Sequence, residues 1–595
     1  MPRAIEKKRK NYSRNGCSEC RQVHIKCDEV RPQCRRCERK NLPCTYETKF
    51  IFQKITPSQR IAGTSALATY LPNQIESENL PLAPEPARHA EYSVDPLGLS
   101  QYIYISPSDL EYLNTLQANE IPEGAVETAP QEVRVDLFDL KWRSSSKHDF
   151  CQALCENDFV ARLSNDLDLE LDPSALVSDQ NLINFTWTVA RNTFCAGNFA
   201  MFPDEHLAAM LTGLVSLSGK FSVVQSAIMY DCAMFMRDLY QQEKEKRLSL
   251  IWDRFVRIPC FKKCLEPLSE RLEQSLDYDE LVALTFVIIL LFSANSANRS
   301  NDWRIHLTGC YQLIAKLEHL KPDSVSETGF TSQLHDHIKD WFCHAQIIAS
   351  ISSDNGGAIG HAGKVIQILK DAPYSALNVL DNRMDLLKGY QTQLYPILTD
   401  ITFEFERYRA DGVLLGGSNI LKFKLENADA SITRHLHEFG ENLIRRLNSL
   451  PTYYSPNAKG NWEIQDFKLQ LSFKRSSEAY RLALELYVKT FFFTSFDESD
   501  IDQLFEKILE ALFSMPYLDS VGMACHWPIY ASALASIYHR KDKFYFYFIE
   551  SLLCIGSKGF QGAFNSIERL SYLREVHSKN GLTNLINSAH DFTAY

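Results

Sequence analysis

Six cysteines between Asn15 and Tyr46 are the residues of this chain best suited to chemistry. They fall in "CSECRQVHIKC" and "CRRCERKNLPC", two segments that share the spacing C-x2-C-x6-C. Thiolates are favoured zinc ligands, and structural zinc is almost always tetrahedral, so each ion needs four ligands. Six thiolates can satisfy two ions if two of the sulfurs bridge both metals. The spacing therefore predicts a closed cluster of two zinc ions.

A disulfide scaffold and a zinc-dependent interaction module account less well for the six cysteines. A disulfide scaffold would need an oxidising compartment, but the N-terminal segment "MPRAIEKKRKNYSR" is basic and has no apolar signal region. A RING-type interaction module lacks two ligands, because the nearest histidine, His24, lies inside the first half of the repeat. Chance clustering of structural thiols would not give matching halves. The favoured interpretation is a zinc cluster in a reducing compartment.

The segment "CSECRQVHIKCDEVRPQCRRCERKNLPC" resembles the fungal binuclear-cluster transcription factors, in which six cysteines hold two zinc ions. The resemblance implies that each half is a short helix followed by an extended segment. It also implies that the first helix, from about Ser18, enters the major groove of DNA. The implied ligand set has Cys17 and Cys34 bridging both ions, Cys20 and Cys27 completing one site, and Cys37 and Cys44 completing the other.

Residues in and beside the cysteine repeat are predicted to contact double-stranded DNA. In the resembling family, the position of His24 is commonly a lysine that donates to guanine in a CGG-type triplet. A neutral imidazole has one N–H donor where an ammonium has three, so a CGG-like preference is less secure here. A phosphate or solvent contact is the alternative for His24. The predicted DNA-binding residues are Arg14, Arg21, Val23, His24, Lys26, Arg35 and Arg36.

The net charge of the chain is unevenly distributed. Residues 1–50 carry +8 and the remaining 545 residues carry −19, which together give −11. Only the basic end suits a polyanion. The run Lys7, Lys8, Arg9 and Lys10 predicts a nuclear-localisation signal or a phosphate-binding arm, with a solvated tail as the alternative. Basic residues near the cluster would also offset its formal charge of about −2, namely Arg21, Lys26, Arg35, Arg36 and Arg39.

The fold class predicted for the whole chain is a small Zn2Cys6 binuclear cluster domain plus a large all-α regulatory domain. Pro57 and Pro72 interrupt the segment after the cluster, so no zipper follows it. Residues 73–130 are rich in Pro, Glu, Ser and Ala, as in flexible linkers. The predicted divisions are a basic arm (1–16), the cluster domain (17–46), a largely flexible linker (47–144) and a helical domain (145–595).

The apolar pattern beyond about residue 145 is helical. Apolar residues recur at three- and four-residue intervals in 222–255 and 468–496. The run Leu281 to Ala294 has 14 residues, fewer than the roughly 20 that span a bilayer, so we expect a buried helix and no membrane partner. "DWRIHLTGCYQLI" (302–314) and "CHWPIYASALASIYHR" (525–540) resemble the fungal-specific transcription-factor domain. The residues predicted to pack in its core are Trp303, His306, Leu307, Trp527 and Tyr530.

Catalytic signatures are poor in this sequence. "GGAIGHAGKV" (356–365) has five residues between the glycines where a phosphate loop has four, and it lacks the metal-binding Ser or Thr. The thiol pairs in "CQALC" (151–155) and "CFKKC" (260–264) have no further ligands, which favours structural roles. We therefore expect a protein that is not an enzyme.

These observations predict a nuclear, sequence-specific DNA-binding transcription factor of RNA polymerase II genes. An activator of metabolic genes is favoured over a repressor. "VDLFDL" (135–140) and "NDLDLELDP" (165–173) resemble segments that bind coactivators, with an amphipathic surface element as the alternative. A homodimer through the helical domain is a further expectation. Lys10 to Cys20 ("KNYSRNGCSEC") resemble regulators of lysine biosynthesis. The alternatives from other classes are a zinc-dependent interaction or scaffold protein and a metabolite-binding enzyme.

Overall fold

The computed structural model divides the chain into two units, Met1–His89 and Ala90–Tyr595. The residues it describes in the first unit are 20, 27–28, 33–40 and 42. In the second unit they are 178–196, 201–242, 246–271, 276–296, 303–320, 329–353, 355–359, 385–410, 429–450, 457–458, 462–463, 467–516, 518–557, 560–580 and 593–595. The predicted basic arm (1–16) and linker (47–144) lie outside these residues, so the domain boundaries remain predictions.

The first unit contains a short helix, α1 (Arg35–Arg39), beside the cysteines. Cys34 is its N-cap residue, with extended backbone at φ −69° and ψ 147°. The Cys34 carbonyl accepts the first intrahelical hydrogen bond, from the Glu38 amide at 3.0 Å. The Cys34 sulfur accepts a hydrogen bond from the Cys37 amide, as a side-chain oxygen does at an ordinary helix N-cap. The CxxC spacing therefore starts this helix and also places the second cysteine one turn later.

The described part of the second unit is almost entirely helical, as predicted. One small antiparallel hairpin, β1 (Asn457–Ala458) and β2 (Trp462–Glu463), also occurs. The helices are α2 (Gln180–Ala196), α3 (Asp204–Lys220), α4 (Ser222–Gln242), α5 (Lys246–Ile251), α6 (Ile258–Arg271), α7 (Tyr278–Ser296), α8 (Trp303–Leu320), α9 (Phe330–Ser352), α10 (Leu394–Ala410), α11 (Ala430–Ser449), α12 (Phe467–Phe491), α13 (Glu498–Phe513), α14 (Leu518–Val521), α15 (His526–Tyr538), α16 (Asp542–Gly556) and α17 (Gln561–Asn580).

Helix α7 forms the centre of the first group of helices. It is apolar around its whole circumference and packs against α4, α8 and α9. By length and composition it could cross a membrane, but 78% of its most apolar window is buried inside the protein. The prediction of a buried helix over Leu281 to Ala294 is therefore confirmed, although the helix is five residues longer than that run.

A second group of helices packs around α12 and α15. Trp527 of α15 lies between two tyrosine rings of α12, 5.9 Å from Tyr480 and 5.8 Å from Tyr487 between centroids. Gly389 approaches this group with φ at +70°, and a Cβ there would lie 2.5 Å from the Ala524 side chain. A glycine is therefore required at this contact for both steric and backbone reasons.

The predicted packing residues are located as expected. Trp303, Leu307, Trp527 and Tyr530 are buried. His306 is half-buried, with its ring 6.4 Å from the Phe261 ring. The prediction that 222–255 is helical is confirmed for its described residues. The segment is not one continuous α-helix, because α4 ends at Gln242 and a π-helix covers Trp252–Arg257 between α5 and α6.

Candidate metal centre and nucleic-acid interface

Three of the six predicted ligands lie together in the first unit. The sulfur atoms of Cys20, Cys27 and Cys34 are all within 4.8 Å of one another. The sulfurs of Cys20 and Cys34 are 3.7 Å apart. All three side chains are buried, and each cysteine is a thiol outside any disulfide. The disulfide alternative is therefore wrong for these cysteines.

The separation of these sulfurs suits zinc. Tetrahedral ligands at a zinc–sulfur distance of about 2.3 Å have sulfur–sulfur edges of about 3.8 Å. The Cys20–Cys34 distance of 3.7 Å matches such an edge. Among the described residues of this unit, the buried apolar core is very small: it consists of four cysteines, with Leu42 packed against them. Zinc would supply the bonds that hold so small a unit together, and thus most of its folding free energy.

Cys37 extends the centre along α1. It is fully buried, and its amide donates to the Cys34 sulfur at 3.4 Å. Cys37 is not part of the tight group formed by Cys20, Cys27 and Cys34. The resemblance assigns Cys37 to the other zinc ion, and this assignment remains a prediction. The assignment of the bridges to Cys17 and Cys34 remains a prediction.

Two arginines of α1 have different surroundings. The Nη1 atom of Arg36 donates to the Cys20 sulfur at 3.8 Å. This hydrogen bond, together with the electrostatic attraction of the nearby Cys20, Cys37 and Cys34 sulfurs as thiolates, raises the pKa of Arg36. The Arg35 side chain is exposed, while its backbone amide donates to the Asp28 carboxylate at 3.2 Å. Arg36 thus contributes positive charge directly to the cluster, and Arg35 presents its charge to solvent.

The other predicted site residues lie outside the described residues. The helix expected from about Ser18 is described only at Cys20, where the backbone is helical. The predicted zinc ligands and DNA contacts outside the described residues are Cys17, Cys44, Arg14, Arg21, Val23, His24 and Lys26. The predicted localisation run, Lys7, Lys8, Arg9 and Lys10, also lies outside them. Their roles remain predictions.

Sequence reasoning missed three residues that support the centre. The Asp28 carboxylate accepts from the first residue of α1, which fixes the chain after Cys27 against the second half. The Gln33 side-chain amide donates to the Leu42 carbonyl at 3.0 Å. Leu42 packs against the cysteines. The only sequence signal for these residues was the position of Asp28 immediately after a predicted ligand. Contacts between loop residues far apart in the chain leave no periodic pattern in the sequence.

The described part of the glycine-rich stretch after α9, residues 356–359, has a structural role. The Arg304 guanidinium donates to the Gly356 and Gly357 carbonyls, each at 2.8 Å. The Gly357 amide donates to Glu406 at 3.2 Å, and the next amide donates to Gln346. Because protein groups occupy these amides, the loop does not present them to a phosphate.

The described thiol pair on α6 is also structural. Cys260 and Cys264 are fully buried. Burial raises the pKa of the Cys260 thiol to about 12, and burial also raises the pKa of Cys264. Both side chains are neutral at physiological pH, when a metal ligand or nucleophile would need to be a thiolate. Cys151 and Cys155 lie outside the described residues.

Comparisons with known proteins agree with this centre. Residues 15–50 match the fungal Zn(2)-Cys(6) binuclear cluster domain, and residues 260–552 match the fungal specific transcription factor domain. The lysine biosynthesis regulatory protein of Saccharomyces cerevisiae is 22% identical over 442 residues, which cover 66% of this chain and 52% of that protein. The chain thus matches about half the length of that relative. No solved structure matches the chain.

Two further relatives match over the cluster segment alone. The Zn(2)-C6 fungal-type transcription factor afumD of Aspergillus fumigatus is 47% identical over 49 residues, 8% of this chain and 13% of that protein. Sterol uptake control protein 2 of Saccharomyces cerevisiae is 47% identical over 36 residues, 6% of this chain and 4% of that protein. With a cysteine group that fits zinc and matches to both domains, the chain belongs to the fungal Zn(2)-Cys(6) binuclear-cluster transcription factors and has two zinc ions as its cofactor.

Proposed function

We propose that this chain is a sequence-specific DNA-binding regulator of RNA polymerase II genes that acts in the nucleus. The observation that supports the proposal most directly is the grouping of the Cys20, Cys27 and Cys34 sulfurs within 4.8 Å of one another, beside a basic helix. The net charge of +8 over residues 1–50 gives this unit the sign that DNA attracts. Zinc has a structural role in the proposal, and no enzymatic step is part of it.

The proposed interface divides DNA recognition between two kinds of contact. Arg35 is exposed and suited to phosphate. The basic residues Lys7 to Lys10, which lie outside the described residues, would contact phosphate as well. His24 is the proposed base reader of a CGG-like triplet, together with the backbone of the first helix. Phosphate contacts would provide most of the affinity, and the base contacts would provide the sequence preference.

The regulatory proposal concerns the second unit. We assign activation, in preference to repression, to the acidic and apolar segments 135–140 and 165–173, which would recruit coactivators. The similarity to a lysine biosynthesis regulatory protein supports amino-acid biosynthesis as the target pathway, at 22% identity. Since Pro57 and Pro72 interrupt the segment where a zipper would follow, we assign homodimerisation to the helical domain.

Selection of bound sequences from random duplex DNA tests this function. The full chain loaded with zinc should enrich one short motif that contains a CGG-like triplet, and a chelator should abolish the enrichment. A matched control, the chain with Cys20 and Cys27 both replaced by Ser, should enrich nothing. Enrichment of no motif by the zinc-loaded chain would contradict the proposal.

A zinc-dependent interaction or scaffold protein is the second candidate function, because the same cluster could bind a protein surface. The two functions differ in salt dependence. DNA binding should weaken steeply as salt rises, because phosphate contacts release counterions, whereas a largely apolar protein interface should change little.

A further inference from the structure

Helix α16 presents an unusual aromatic surface. Phe546 and Tyr547 are adjacent on this helix and are 56% and 38% exposed. Tyr547 contacts the ring of Phe513, itself 54% exposed at the end of α13, with centroids 6.3 Å apart. On the other side, the Arg574 guanidinium of α17 lies 4.9 Å from the Phe546 ring. Exposed aromatic rings therefore extend across neighbouring helices, as at protein interfaces.

The charges on the same face of α16 are arranged symmetrically about these rings. Lys543 lies three positions before Phe546, and Glu550 lies three positions after Tyr547. These spacings put all four side chains on one face of the helix, and all four are exposed. Neither Lys543 nor Glu550 has an ion-pair partner among the described residues.

We propose that this face of α16 pairs with the same face of α16 in a second copy of the chain. Two copies packed antiparallel about a twofold axis between Phe546 and Tyr547 place each Phe546 against the Tyr547 of the other copy. The same axis places each Lys543 against the opposite Glu550. An isologous interface requires this self-complementarity, in which two residues exchange partners across the axis.

The aromatic centre and the charge pairs at its ends have the arrangement of a specific protein interface. The centre buries aromatic rings, which carry most of the energy at interfaces. The two Lys543–Glu550 pairs lie at the ends of the contact, where they select the antiparallel register more than they add affinity. Phe513 and Arg574 flank the centre and extend the buried surface. Charge complementarity under the twofold axis therefore favours a second copy over an unrelated partner.

This inference deepens the dimer proposal made above by naming the surface. Its test measures mass without DNA, so its failure can be distinguished from failure of the DNA-binding proposal. Sedimentation velocity of the full chain at micromolar concentration should give twice the monomer mass of 68.2 kDa. A monomer would overturn the inference and would leave the aromatic surface to a different partner.

Charge reversal provides the decisive comparison. Either single substitution, Lys543→Glu or Glu550→Lys, gives positions 543 and 550 the same charge. Because the twofold axis places these positions opposite each other at both ends of the contact, each variant should weaken the dimer about tenfold or more. The double variant K543E/E550K restores opposite charges and should recover nearly wild-type dimerisation. Recovery in the double variant would be specific to this antiparallel register. Equal weakening in all three variants, or in none, would reject the register and the inference with it.

Two matched controls separate this surface from general effects. Phe546→Glu should give a monomer, whereas Ile305→Glu, which changes a residue 58% exposed on α8, should leave the dimer intact. Lys474→Glu changes an exposed lysine on α12 and should also leave the dimer intact. The melting temperature of each variant, followed by circular dichroism, should remain close to wild type because every substituted side chain is exposed. Loss of the dimer in I305E would contradict the proposed location.

Discussion

The sulfur atoms of Cys20 and Cys34 lie 3.7 Å apart although the two residues are 14 positions apart in the chain. This contact joins the two halves of the cysteine repeat, because Cys20 belongs to the first half and Cys34 begins the second. A bridging thiolate would have to occupy such a position. The Cys34 sulfur also accepts from the Cys37 amide, so it contacts both the first group of ligands and the start of α1.

Cys34→Ala should release more zinc than Cys37→Ala. By the proposed ligand set, the Cys34 sulfur serves both ions, while the Cys37 sulfur serves one. We expect the wild-type chain to hold two zinc ions, Cys37→Ala to retain one, and Cys34→Ala to retain none under the same chelator challenge. Native mass spectrometry of the intact chain gives these counts directly. Two tightly held ions in Cys34→Ala would reject its assignment as a bridge.

Arg36→Ala should accelerate zinc loss, whereas Arg35→Ala should not. Arg36 donates to the Cys20 sulfur, and removal of a hydrogen bond to a metal ligand typically costs about tenfold or more in metal affinity. Arg35 is the matched control because its side chain is exposed on the same helix. Zinc release to a chromophoric chelator measures both rates. Identical rates in the two variants would show that the Arg36 contact does not support the cluster.

His24→Ala and neutralisation of Lys7, Lys8, Arg9 and Lys10 should impair DNA binding in different ways. The first should cost about 1 to 3 kcal/mol at the preferred sequence and relax the preference at one or two base pairs. The second should weaken binding to all sequences, and each lost phosphate contact should reduce the salt slope by about 0.9. Parallel selections and salt titrations distinguish these results. An unchanged preferred sequence in His24→Ala would make His24 a phosphate contact.

His526 should make the second unit less stable in mild acid. Burial lowers the pKa of this histidine from 6.5 to about 4, although the Tyr595 backbone opposes the shift. Between these values the unfolded chain binds the extra proton, so the free energy of unfolding should fall by about 1.4 kcal/mol per pH unit as the pH decreases. This contribution to stability is complete above pH 6.5 and is lost progressively as the pH falls from 6.5 to about 4.

Replacement of His526 by Gln isolates this effect. The glutamine amide can keep a hydrogen bond to Ser566, which now lies 2.7 Å from the His526 Nε2 atom, but it does not titrate. Urea unfolding at a series of pH values should therefore give a shallower pH dependence for His526→Gln than for wild type. Parallel curves for His526→Gln and wild type would contradict the prediction.

The metal centre could be predicted from the sequence because its chemistry is local. CxxC spacing puts two thiols one turn apart, and Cys34 and Cys37 have this relationship in α1. The all-helical class of the second unit could also be predicted from the sequence, because apolar residues recur at three- and four-residue intervals along each amphipathic helix. The buried state of Leu281 to Ala294 followed from its apolar composition.

The contacts that were not predicted join residues far apart in sequence. The Ala594 amide donates to the Ser352 hydroxyl at 3.0 Å, across 242 positions. Arg304 holds the loop at Gly356 and Gly357, for which the sequence offered only a poor resemblance to a phosphate loop. Such pairs depend on how helices are stacked in three dimensions, and no periodicity within one helix specifies that arrangement.

Helix α7 has a consequence for how the chain is made. Its apolar surface is covered partly by α4, which precedes it, and partly by α8 and α9, which the ribosome adds later. After α7 has left the ribosome, and until α8 and α9 pack against it, one side of an almost wholly apolar helix is therefore exposed. Exposed surface of this kind drives aggregation and attracts chaperones. The synthesis of residues 303–352 thus supplies the two helices that cover this side of α7.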